Sequence, residues 1–226
     1  MKFNDTDSFQ EKSLEILAQI NKMFVHARPV FLQELTAGNT ALVIVDMVNG
    51  FTREGALKSG RIEALIPEIT ALLRKCGELG IAAIAFADNH TGSSPEFSSY
   101  PPHCLDGTRE AEMVDEIKKA GGYKRIAKNS TNGFLEEEFQ DWMKKNGNID
   151  TFIITGDCTD ICIQQFAVTL KTWFNMQDRK SRIIVPVDLV ETYDLELHYA
   201  GLVNLMALYN MHINGVEIAA AIIAEE

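Results

Sequence analysis

Four reactive side chains stand just past apolar, β-rich runs of this sequence. Asp46 follows residues 41–45, Asp88 follows 81–87, Lys128 follows 123–127, and Cys162 closes the segment 156–162 that follows 151–155. A carboxylate, an ammonium and a thiol held together can turn sulfur into a nucleophile, the carboxylate taking its proton while the ammonium steadies the anions. Taken singly, each residue has a plainer explanation. A carboxylate after a strand often caps a loop or helix, and a lone free cysteine is more often a small packing residue. It is the convergence of all four that points to chemistry.

Cys162 belongs to Thr155-Gly156-Asp157-Cys158-Thr159-Asp160-Ile161-Cys162. Gly156 permits a sharp turn, and Thr159 or Asp160 is expected to cap a helix beginning near residue 160. Cys162 would then lie in the first helical turn, where the helix dipole and free N–H groups favour thiolate over thiol. Cys158 as half of a metal pair would need two further ligands at suitable spacing nearby, and none is found.

A second constellation lies in the loop 89–108: Asp88-Asn89-His90, then Glu96, then Tyr100-Pro101-Pro102-His103-Cys104. Asp-x-His at a strand end presents a carboxylate and an imidazole to one point, and Glu96 and His103 could return to complete an oxygen and nitrogen set. Such a set suits Zn, Mn or Fe with water at the open positions. His and Glu in a polar loop are also commonly just solvated, so spacing alone leaves both readings open. Long loops in compact domains are more often functional than idle.

The elements that must position these groups alternate. Strands are expected at 41–45, 81–87, 123–127, 151–155, 183–187 and 216–222, with helices at 61–79, 109–120, 135–145, 160–174 and 196–209. Alternation implies a parallel sheet covered on both faces, with ligands beyond the carboxyl ends of the strands. Residues 6–24 read as an extra amphipathic helix that covers the sheet or packs on another subunit. With 226 residues, 46% of them hydrophobic, the chain can fill one α/β core. The net charge of −11 and the absence of a basic face argue against a nucleic-acid partner. No signal pattern or bilayer-length apolar run is visible. Four cysteines without an export signal are expected to be reduced thiols in a cytoplasmic protein.

From residue 41 to 187 the chain resembles the nicotinamidase branch of the isochorismatase-like cysteine hydrolases. The resemblance rests on Val43-Ile44-Val45-Asp46-Met47-Val48-Asn49-Gly50-Phe51, on Ala127-Lys128-Asn129-Ser130-Thr131-Asn132-Gly133-Phe134, and on Gly156-Asp157-Cys158-Thr159-Asp160-Ile161-Cys162. It implies a Rossmann-like three-layer sandwich with a six-stranded, mainly parallel sheet, formed by residues 39–226 after an N-terminal helical extension, 1–38. It implies Asp46, Lys128 and Cys162 as the catalytic set, and Asp88, His90, Glu96 and His103 as ligands of a divalent metal, zinc first, with Mn or Fe as alternatives. It also implies a non-proline cis peptide before Cys158, with the backbone N–H groups of Cys158 and Cys162 binding the oxyanion. Val48 and Gly50 depart from the family pattern, which commonly has polar residues there.

The activity so implied is hydrolysis of nicotinamide to nicotinate and ammonia through a Cys162 thioester, with Phe51 and Tyr100 flanking the ring unless they merely pack. The alternatives are hydrolysis of another small amide or an N-carbamoyl or ureido compound, and a non-catalytic binding domain. The expected partners are a small amide and further copies of the chain. Asp160 is expected to start a helix, Asp188 and Asp194 to be caps, and His198 and His212 to be structural or solvated.

Overall fold

The computed structural model describes residues 7–224. The strands, in chain order, are β1 (Val30–Phe31), β2 (Thr40–Val45), β3 (Ala82–Asp88), β4 (Lys124–Lys128), β5 (Thr151–Asp157), β6 (Arg182–Pro186), β7 (Val190–Glu191), β8 (Glu217–Ala219) and β9 (Ile222–Ile223). The helices are α1 (Asp7–Val25), α2 (Asn49–Thr52), α3 (Gly60–Glu63), α4 (Ile66–Glu78), α5 (Asp115–Ala120), α6 (Glu137–Lys145), α7 (Gln164–Met176) and α8 (Ala200–Ile213). The main sheet is parallel and runs β4-β3-β2-β5-β6-β8, and the short β7 attaches to the end of β5 as a seventh strand.

Successive residues of a strand face opposite sides of the sheet. Leu42 and Ile44 of β2 therefore enter one core with Ile69, Leu73 and Cys76 of α4 and Ile117 of α5. Ala41, Val43 and Val45 enter the other, with Phe139 of α6, Phe166 and Leu170 of α7, and Met211 of α8. The result is a three-layer α/β sandwich. Ile20 and Phe24 of α1 join the second core, and Phe24 meets His212 of α8 edge-on. The helix expected at 6–24 is thus present from Asp7, while Thr6 lies outside the described residues. Among the described residues no helix is long and apolar enough to cross a membrane.

Tertiary contacts reshape four expected elements. The helix expected at 61–79 breaks into α3 and α4, because Pro67 fits only the first turn of a helix. Only 115–120 of the expected helix 109–120 is α-helical: Asn49 N donates to Glu112 O (2.9 Å) and Val114 N to Met47 O (3.0 Å), drawing 112–114 into extended backbone. The helix expected at 196–209 begins at Ala200, whose N–H is capped by the Asp194 carboxylate at 2.7 Å. The strand expected at 216–222 divides, β8 staying in the sheet and β9 pairing with β1.

The sheet order reverses between β2 and β5, whose carboxyl ends lie side by side with Val45 opposite Gly156. Such a switch point opens a crevice for ligands. Gly156 has φ +109°, and a Cβ there would run into the Val45 carbonyl. Gly156→Ala is accordingly expected to cost at least about 3 kcal/mol, since neither backbone can give way. The loss would appear as a lowered urea midpoint.

Candidate active site

Asp46 is the first residue past β2 and adopts φ +54°. Its N–H donates to Phe86 O (3.1 Å) and its Oδ1 accepts from Asp88 N (3.0 Å), so the neighbouring strand β3 fixes it at two points. Lys128 ends β4 directly opposite Asp88. Its Nζ is 2.8 Å from Asp46 Oδ2, pairs with Asp88 Oδ1, donates to Ser130 O (3.2 Å), and reaches Cys162 Sγ at 3.6 Å. Carboxylate, ammonium and thiol are thus assembled as the sequence led us to expect, and all three residues are buried.

Burial sets the proton positions. It pushes Asp46 up to about 6, helped by Asp88 and opposed by Lys128. Burial would raise Asp88 too, but Lys128 and the two imidazoles outweigh it and hold Asp88 well below the usual carboxylate range. Lys128 is held well above its ordinary value, because Asp46 and Asp88 overcome desolvation. Cys162 departs from expectation: burial pushes its thiol up, and Lys128 only partly offsets this. The helix start does not make a resting thiolate. Sulfur rests protonated, and Asp46, which touches it, is the base within reach.

The turn that carries Cys162 differs in detail from the expected capped helix. Residues Thr159–Ile163 form a π-helical turn ahead of α7, and no side chain caps it. The Cys158 carbonyl accepts from Ile161 N and Ile163 N, each at 3.1 Å. Thr159 is buried rather than capping, and Asp160 turns aside to His198 Nε2 at 2.8 Å. The Asp157–Cys158 peptide is cis.

The second constellation gathers beside Asp88. His90 Nε2 and His103 Nε2 lie 3.3 and 3.4 Å from Asp88 Oδ2, and the three ligand atoms fall within 4.8 Å of one another. Glu96 is at the rim. Its Oε2 is 3.9 Å from His90 Nε2, while its Oε1 accepts from Thr131 N at 2.9 Å. The donor chemistry fits a cation. His103 Nδ1 donates to the Pro101 carbonyl (2.8 Å), and His90 Nδ1 faces Asn129 Oδ1 (3.4 Å), which already accepts from Thr91 N. With both Nδ1 atoms so engaged, both Nε2 atoms are turned toward the Asp88 carboxylate, and His90 Nε2 has no hydrogen-bond partner among the described residues. Three acceptors facing inward suit a divalent ion.

A cleft enclosing about 290 Å³ of empty space, open solvent included, joins the two clusters. Cys162, Asp88 and His103 reach it, and so do Phe51 and Tyr100. The rings of Phe51 and Tyr100 lie 5.5 and 6.2 Å from that of His103. Sequence reasoning missed Leu57, Thr131, Ile161 and Tyr193, which also line it. For Tyr193 the available signal was the one used for Tyr100, an aromatic residue in a polar segment after a strand. The two departures from the family pattern serve packing: Val48 bridges to Met113, and a Cβ on Gly50 would sit 2.5 Å from Cys104 Sγ.

The sequence pattern of the isochorismatase domain matches residues 40–215. Nicotinamidase 1 of Arabidopsis thaliana is 32% identical over 187 residues, covering 72% of this chain and 73% of that protein. Among solved structures, N-carbamoylsarcosine amidase from Thermoplasma acidophilum superposes with a TM-score of 0.66 at 25% identity, covering 80% of this chain and 95% of that one. The pyrazinamidase of Pyrococcus horikoshii in complex with zinc superposes with a TM-score of 0.67 at 23% identity, covering 80% and 98%. The last of these speaks to the fold alone.

Proposed function

Because the chain belongs to the isochorismatase family of hydrolases, we propose that it is a metal-assisted cysteine amidohydrolase acting on nicotinamide. The observation that carries this reading is the reach of Lys128 Nζ, 2.8 Å from Asp46 and 3.6 Å from Cys162, beside an aromatic-walled cleft. In this mechanism Asp46 accepts the thiol proton and Cys162 Sγ attacks the carboxamide carbon. Lys128 balances the charge that moves between sulfur and carboxylate. The backbone N–H groups of Cys158 and Cys162 receive the oxyanion, worth about 3 kcal/mol per donor. The C–N bond breaks, Asp46 returns the proton to the departing ammonia, and water hydrolyses the thioester to release nicotinate and the thiol.

Asp88, His90 and His103, with Glu96 at the rim, would hold a divalent metal, zinc first, which when bound supplies a Lewis acid for the pyridine nitrogen. Phe51 and Tyr100 flank the ring. An aromatic amide suits this cleft better than a flexible ureido compound, since aromatic rings and a nitrogen-seeking ion reward a flat heterocycle. Residues 39–226 are taken as the hydrolase domain and 1–38 as its helical extension. Cytoplasmic placement and self-association belong to the same proposal, and sedimentation at several protein concentrations tests the latter.

The test is ammonia release from nicotinamide, benzamide and N-carbamoyl amino acids, with and without chelator. Nicotinamide is expected to be preferred and chelator to suppress its turnover. Preference for an N-carbamoyl substrate would replace the assignment. His103→Ala is expected to lower bound metal, measured by elemental analysis, and to raise the KM for nicotinamide at least about tenfold. Unchanged metal content would refute the ligand set.

A further inference from the structure

Tyr193 lines the cleft beside Cys158 and Cys162, is only 9% exposed, and has no hydrogen-bond partner for its hydroxyl among the described residues. That hydroxyl is not sealed in the core: it keeps contact with solvent, where a ligand in the cleft can reach it. The residue is also held from behind. Its ring stacks on His198 at 4.3 Å and 15°. His198 Nδ1 is 2.9 Å from the Tyr193 carbonyl and Nε2 is 2.8 Å from Asp160 Oδ2. Both partners accept only, so both ring nitrogens donate when the ring is an imidazolium. Burial draws that charge down, but Asp160 and the Tyr193 carbonyl outweigh it and raise His198. A cation stacked on an aromatic face adds further attraction. Asp160 stands inside the turn that carries Cys162, so one imidazole fastens Tyr193 to the nucleophile's own segment. Burial, with the Asp160 carboxylate nearby, keeps the Tyr193 hydroxyl protonated and hence a donor.

We propose that Tyr193 is a substrate-contacting residue whose hydroxyl donates a hydrogen bond to the bound amide, and that His198 is the positioning residue that holds it there through Asp160. The ligand class is a planar amide offering an acceptor to that hydroxyl. The inference rests on the amidohydrolase reading but assigns residues that the reading does not need.

The experiment measures kcat and KM for nicotinamide in the metal-loaded protein and in Tyr193→Phe, His198→Ala and the double variant. Nicotinamide binding is measured by calorimetry in Cys162→Ala with and without Tyr193→Phe. Loss of one neutral hydrogen bond is expected to raise KM and Kd roughly fivefold, with kcat falling less than KM rises. His198→Ala is expected to raise KM similarly but to add little once Tyr193 is Phe, because it acts through that hydroxyl. Tyr193→Phe with unchanged KM and Kd, in a chain that turns nicotinamide over, would overturn the role of Tyr193 alone. Full additivity of the two substitutions would overturn the positioning role of His198. Neither turnover nor binding of nicotinamide in chains that keep Tyr193 would overturn the nicotinamide reading and this inference with it.

Discussion

Cys162→Ala is expected to lower ammonia release from nicotinamide by at least about 10⁴-fold while leaving the fold intact. The loss is large because no other thiol can substitute. Cys76 is wholly buried in the α4 core, and burial pushes it up to about 12. Cys104 is buried too and is likewise pushed up. Cys158 does line the cleft, but burial pushes its thiol up, and it is Cys162 that the Lys128 ammonium reaches. The substitution removes one sulfur from a site bordering open space, so circular dichroism and the thermal midpoint should change little. Retained turnover would show that another group performs the attack.

Lys128→Met is expected to fail twice over. Lys128 is the only Lys or Arg within ion-pair distance of Asp46 and Asp88 among the described residues, and all three side chains are 3% exposed or less. Removing one partner of a buried pair costs about 3–5 kcal/mol, because the remaining charge is left without compensation. Here two carboxylates would face each other. One of them must then take up a proton, and when it is Asp46 the base for Cys162 is gone. Urea denaturation should show the stability loss and the ammonia assay a collapse of kcat. Adding Asp46→Asn should restore part of the stability but none of the activity, which separates the electrostatic role from the chemical one. A stable and active Lys128→Met would contradict the charge balance described above.

The strand ends were readable because a parallel sheet writes its strands as continuous apolar runs, so a polar residue after the run marks the exit. Asp46, Asp88 and Lys128 were found in this way. Periodicity could not see the backbone bonds from Asn49 and Met47 that pull 112–114 out of a helix, since those partners are about 65 positions away. The thiol's proton affinity was misjudged for a similar reason. The helix start is local and visible in sequence, whereas the desolvation that wins at Cys162 comes from the whole core. His198 looked structural in isolation. Its partners, Asp160 and the Tyr193 ring, became evident only once 192–199 folded back over the nucleophile turn.

The central claim is that the Cys162 thiol performs the reaction at the cleft. It is tested most directly by timed alkylation with iodoacetamide at neutral pH, with peptide mapping and ammonia release measured on the same samples. The account predicts that Cys162 is modified well before Cys76 and that activity falls in step with the modified fraction. Full modification of Cys162 with turnover of nicotinamide undiminished would contradict it.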